Sequence, residues 1–99
     1  MKNIRFKVVV TNQTWDNVQQ YIDYYKPINT NYSSKILNNF LELLGTIEEY
    51  PFMFSKLEGM DKYRYVVILK RFIIIYFIKA KEIKVVNFVD GKTNYQELL

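Results

Sequence analysis

The sequence has no cysteine and no histidine. Without cysteine there are no disulfides and no thiolate metal sites, a composition that suits a reducing cytosol. Without histidine the chain lacks the usual zinc ligand and the usual acid/base near neutral pH. No apolar run exceeds the seven residues of Phe72–Ile78, whereas a membrane-spanning helix needs about 20. The opening stretch MKNIRFKVVVTN is interrupted by Arg5 and Lys7 and leads to no small-residue cleavage site, so it does not read as a secretory signal. The three glycines, Gly45, Gly59 and Gly91, form no phosphate loop. Ser33 and Ser34 have no histidine to activate them, and Glu48 and Glu49, adjacent on a helix, splay apart. No metal-ligand or catalytic spacing is present. The expectation is a soluble, cytoplasmic single domain over residues 1–99, with no cofactor, no metal and no membrane partner.

What is present is positive charge in one half of the chain. The formal net charge is +4. Residues 1–53 balance five basic against five acidic side chains, while residues 54–92 carry nine basic against four acidic. Such asymmetry suits an acidic or polyanionic partner, or lysines that keep a strand face soluble and guard its edges.

Periodicity predicts the order βααβββ. Residues 4–10 alternate, with Ile4, Phe6, Val8 and Val10 on one face, as in a half-buried strand. Trp15, Val18, Ile22 and Tyr25 make one stripe of a helix over about 14–26, opened by Thr11 or Thr14, with Asp16 in its first turn and Lys26 in its last, and ended by Pro27. Ser33 or Ser34 opens a second helix. Its ridge is Ile36, Phe40, Leu43 and Ile47, with Leu37, Leu41 and Leu44 beside it, and Pro51 stops it. Gly45 weakens that helix unless close packing requires it. Phe52, Met53 and Phe54 are expected to plug the gap between helix and sheet. Strands follow at 63–69, 72–78 and 83–89 as an antiparallel meander, with the middle one central because it is apolar on both faces. In the last strand Ile83, Val85, Asn87 and Val89 oppose Lys84, Val86, Phe88 and Asp90, before the turn-rich DGKTN and a last helical turn, YQELL. The predicted fold is α+β: an N-terminal strand and an antiparallel two-helix hairpin packed on a twisted antiparallel sheet of about four strands.

The chemistry left is a basic, aromatic strand surface. Arg64 lies between Tyr63 and Tyr65, Arg71 opens the next strand, and Lys92 follows the last. Arginine offers a planar fork for phosphate, and tyrosine can stack a base or donate a hydrogen bond. The structural alternative makes Arg64 half of a salt bridge to Asp61 or Asp90, with the tyrosines as amphipathic core.

Over residues 47–98 the chain resembles the RelE/ParE superfamily of type II toxin–antitoxin toxins. The resemblance rests on Ile47 to Pro51 closing the second helix, Arg64 in the next strand, and the isoleucine-rich strand with Tyr76. It continues through Asp90-Gly91-Lys92, Asn94 and Leu98. It implies a small toxin neutralised by a cognate antitoxin that is acidic and partly disordered, acting on DNA gyrase (ParE-like) or on ribosome-bound mRNA (RelE-like); a homodimer is compatible with it. A nuclease would place Arg64, Lys92 and Tyr95 in its catalytic site, with Lys56 and Lys62 as counterparts of the lysines some members use. Lys92 stands where the family usually has arginine, and lysine lacks the bidentate fork. Metal-free RNA cleavage also needs a base for the 2′-OH, and no residue here supplies one convincingly. The resemblance therefore favours a ParE-like, non-nuclease role over a RelE-like endoribonuclease, with a non-toxic structural or regulatory member as the third reading.

Overall fold

The computed structural model describes residues 5–92. Its elements are β1 (Lys7–Val10), α1 (Asn12–Tyr25), α2 (Thr30–Glu49), β2 (Lys56–Leu57), β3 (Met60–Ile68), β4 (Phe72–Lys79) and β5 (Glu82–Asp90). The α+β architecture and the order of the long elements are as the periodicity predicts. The sheet has five strands in the order β1-β5-β4-β3-β2. β2 is an addition, a two-residue strand on the β3 edge. β3, β4 and β5 form the antiparallel meander, but β1 pairs parallel to β5, from Lys7 opposite Glu82 to Val10 opposite Val85. The sheet is therefore mixed, because two helices and three strands intervene before the chain returns beside β1.

Helix α1 starts immediately after β1. Thr11 caps it, its hydroxyl accepting from the Thr14 N–H. Asp16 falls one residue beyond the first turn, and Lys26 is the C-terminal cap. Pro27 cannot donate a backbone N–H and so ends the helix. α2 begins earlier than the serines imply. The Asn29 side chain accepts from the Tyr32 N–H, and Ser33, buried in the first turns, donates to the Thr30 carbonyl. Asparagine is among the strongest N-caps, and here it outranks serines four and five residues downstream.

The two apolar faces of β4 organise the rest. Phe72, Ile74 and Tyr76 join Val18, Ile36, Phe40, Leu43 and Ile47 in the main core under the helices. Ile73 and Ile75 point the other way, into a smaller cluster with Val89, covered by Tyr63, Tyr65 and Val86. β4 is the central strand, as expected of a run apolar on both faces.

The strict alternation predicted for β5 fails at one place. Tyr76 pairs with Val85 but Ile75 pairs with Asn87, so Val86 is an extra residue in a bulge. The bulge shifts the phase of the strand: Phe88 joins Ile83 and Val85 in the helix-side core, while Val86 and Val89 face the other cluster. The wide stripe predicted for α2 is also narrower than expected, since Leu37 and Leu41 are exposed. Phe52 and Met53 do not plug the core; they are 60% and 58% exposed, and only Phe54 packs against it.

Gly45 sits in α2 with nothing within 4 Å of where a Cβ would lie. No close packing requires a glycine there. Gly45→Ala is expected to stabilise the protein by about 1 kcal/mol through helix propensity, read as a higher urea midpoint with unchanged slope.

Candidate functional site

Arg64 lies in mid-β3, opposite Tyr76 of β4, and is half-buried. Its Nη1 donates to the Phe54 carbonyl at 2.6 Å and, more weakly, to the Phe52 carbonyl at 3.4 Å. The guanidinium also lies 5.5 Å from the Phe52 ring centre. Beside it, the Tyr76 hydroxyl donates to the Pro51 carbonyl at 2.8 Å. Two neighbouring strands thus strap residues 51–54 to the sheet, satisfying carbonyls that α2 leaves behind when it stops. Neither salt bridge considered for Arg64 forms: no ion pair joins it to Asp61, and Asp90 pairs with Arg71. Burial pushes the Tyr76 hydroxyl up to about 12, with the positive charge of Arg64 pulling the other way.

Lys92 lies elsewhere. It follows the end of β5, where Asp90 pairs with Phe72, and Phe72 in turn pairs with Ile68. Arg64 is four ladder positions back along β3, roughly 13 Å at ~3.3 Å per residue, with one strand between. The two cations do not converge. Tyr95 lies outside the described residues, as do Asn94, Leu98 and the expected last helical turn. Lys56 pairs with Arg64 across the β2–β3 edge, and Lys62 lies over the Phe77 and Tyr63 rings at 4.5 and 5.4 Å. On the sheet face away from the helices, the centre is made of Ile73, Ile75 and Val89.

What the fold does assemble is a different group at the end of the sheet. The β3–β4 hairpin turns at Leu69 and Lys70, both with positive φ, and closes with the Arg71 N–H donating to the Ile68 carbonyl. A leucine in the left-handed region costs roughly 1 kcal/mol or more, and the tight turn sets Arg71 beside the end of β5. There Arg71 Nε donates to Asp90 Oδ2 at 3.0 Å. The other carboxylate oxygen accepts from the Lys92 N–H at 3.0 Å. The Gly91 N–H donates to the Arg71 carbonyl at 2.7 Å, and a Cβ on Gly91 would meet that oxygen at 2.8 Å. Only glycine allows this approach. The Asp90 carboxyl is held below its ordinary 3.8, first by the Lys92 N–H and, against the opposing effect of burial, by Arg71.

Helix α1 reaches the same place. Asn17 donates to the buried Asn87 side chain and to the Phe88 carbonyl, and the Tyr21 hydroxyl accepts from the Asp90 N–H. Arg71 lies 5.5 Å from the Tyr25 ring centre. Gln20, Tyr21, Tyr24, Tyr25 and Arg71 line an open cleft of about 400 Å³. Lys70 and Lys92, both exposed, flank Arg71 and Asp90 in the chain. The helical stripe alone places Tyr25 in the core, and the strand pattern makes Arg71 only the opener of β4. The available signal was the cluster of tyrosines at 21, 24 and 25 on one helix end, but only the sheet register brings Arg71 to it. Among the described residues no group of three or more acidic side chains is placed to hold a metal ion, and no helix is long and apolar enough to cross a membrane.

No family model matches the chain, and no curated protein matches it. Solved structures do. A chain of the chromosomal ParDE TA system from P. aeruginosa superposes with a TM-score of 0.76 at 13% identity, over 89% of this chain and 98% of that one. The YoeB/ParE toxin from Agrobacterium tumefaciens gives 0.61 at 18% identity, over 87% and 99%. The conserved hypothetical protein HP0894 from Helicobacter pylori gives 0.53 at 17% identity, over 88% and 96%. The fold that the sequence resemblance implied is the fold these proteins share.

Two pH responses follow from the site. The folded Tyr76 value exceeds the ordinary 10.0, so its contribution is complete below pH 10 and is lost as pH rises from 10 through about 12. Tyr76→Phe is expected to cost about 1 kcal/mol at neutral pH and to flatten the alkaline loss in urea titrations between those limits. The lowered Asp90 value has the opposite sense: its contribution is complete above the ordinary carboxylate value and vanishes as pH falls through the lowered folded one. Asp90→Asn is expected to be less stable than wild type at pH 7 by about 1 kcal/mol, with the difference closing in acid.

Proposed function

We propose that the chain is the toxin of a type II toxin–antitoxin pair, neutralised by a cognate antitoxin, and that it acts by binding DNA gyrase rather than by cutting RNA. Similarity of fold over nearly the whole chain to a ParDE component and to a YoeB/ParE toxin supports the toxin reading. One observation carries the choice of binding over cleavage: Arg64 is turned onto the chain that follows α2, its Nη1 donating to the carbonyls of residues 52 and 54 and its guanidinium lying by the Phe52 ring. An arginine committed to that strap is poorly placed to hold a scissile phosphate, and Lys92 is too far along the sheet to share one with it.

The nuclease reading keeps one point in its favour, an exposed Lys92 at the end of the strand that resembles the family's phosphate-bearing one. Under it Lys92 and Tyr95 would work with Arg64 on translated message. Harmless expression without any antitoxin would favour the structural or regulatory reading.

Expressed alone, the protein is expected to arrest growth, and purified protein to inhibit gyrase supercoiling. Codon-linked cuts in primer extension on translated messages, lost in Lys92→Ala and accompanied by undisturbed supercoiling at high protein concentration, would replace this proposal with the nuclease.

A further inference from the structure

The Arg71 guanidinium is held from several sides. Asp90 takes its Nε, and the Tyr25 and Phe72 ring centres lie 5.5 and 5.7 Å away. Among the described residues nothing takes its terminal nitrogens, and the side chain is 43% exposed. The arginine is therefore oriented before any ligand arrives, with one edge of its fork unused by the described residues.

The wall beside it is equally pre-arranged. Tyr24 stands edge-on to Tyr25, and Tyr25 edge-on to Tyr32, each pair at 4.9 Å between ring centres. Tyr24 is 63% exposed and Ile28, just past the helix end, 65%. Rigid aromatic area beside an arginine is the composition of a protein-binding hot spot, because little side-chain freedom is lost on contact. A cleft of about 400 Å³ holds one or two side chains of a peptide, not a folded domain.

The sign of the ligand follows from the surroundings. Lys70, next to Arg71 in the chain, and Lys92, two residues after Asp90, are both exposed, within a chain segment rich in basic residues. Neither helix N-terminal residues nor a glycine-rich loop line the cleft to cradle a phosphate.

We infer that this cleft docks an acidic peptide segment, one carboxylate of which takes the free edge of Arg71 while a neighbouring apolar side chain packs on Tyr24 and Ile28. The inference rests on the toxin–antitoxin reading only for the identity of the partner, since under that reading the segment belongs to the antitoxin.

The test uses the full chain and a labelled peptide of about a dozen residues, alternating glutamate and leucine, with a lysine–leucine peptide and an oligothymidylate as comparisons. Amide shifts are expected to cluster at residues 20–28 and 69–72. Arg71→Gln should weaken binding about tenfold, the loss of one charge-assisted hydrogen bond, and Arg71→Lys by an intermediate factor. Tyr24→Ala removes only an exposed ring and should weaken binding several-fold without unfolding. Lys81→Gln, at the opposite end of the sheet, should leave it unchanged. Equal loss in Lys81→Gln would show attraction to bulk charge and overturn the site. So would shifts centred elsewhere, no detectable peptide binding, or tighter binding of the oligothymidylate at the same residues. If expression proves harmless while the peptide binds at Arg71, the toxin proposal fails and the cleft stands; if toxicity holds without peptide binding, the cleft alone fails.

Discussion

The strand Phe72–Lys79 is the constraint on which the structure depends. Its residues are apolar on both faces, so it is stable only if both are covered. The helices cover one through Phe40, Ile36 and Val18; Tyr63, Tyr65 and Val86 cover the other. Each buried isoleucine or phenylalanine removes roughly 1.5–3 kcal/mol of unfavourable apolar exposure. β5 also feeds both clusters, but β4 lies at the middle of the sheet, and β3 and β5 both take their register from it.

Hydrophobic burial alone would let α1 slide along the sheet. Polar contacts prevent this. The Thr14 hydroxyl donates to the Val85 carbonyl, Asn17 reaches Asn87 and the Phe88 carbonyl, and Tyr21 reaches the Asp90 N–H. These contacts recur at successive turns of the helix, and two of them use backbone groups around the Val86 bulge. The bulge is therefore useful twice: it turns Phe88 into the core, and it leaves polar groups that fix the helix in one register.

Charge is distributed around this frame, not through its centre. Arg64 straps the chain after α2, and Arg71 and Asp90 join two strand ends. The lysines occupy turns and margins. The face opposite the helices has an apolar middle.

Much of the fold was legible in the sequence. Period-2 and period-3.6 apolar spacing depends only on which side of an element is buried, so the order of the long elements, the Ile36-Phe40-Leu43-Ile47 ridge and the central place of β4 followed from residues alone. The candidate site was less legible. Arg64, Lys92 and Arg71 could each be named as basic residues on strand ends, but the hydrogen-bond partners could not. Whether Arg64 meets a carbonyl or a carboxylate depends on the path of residues 51–54. Whether Arg71 meets tyrosines depends on how far α1 extends over β5. The elements and their buried faces could be read from residues alone, because they follow from side-chain periodicity along a local stretch. The parallel β1–β5 pairing, the phase change at Val86 and the gathering of Arg71, Asp90 and the α1 tyrosines came only with the folded chain. Each of these depends on register between segments separated by tens of residues, and no local pattern encodes it.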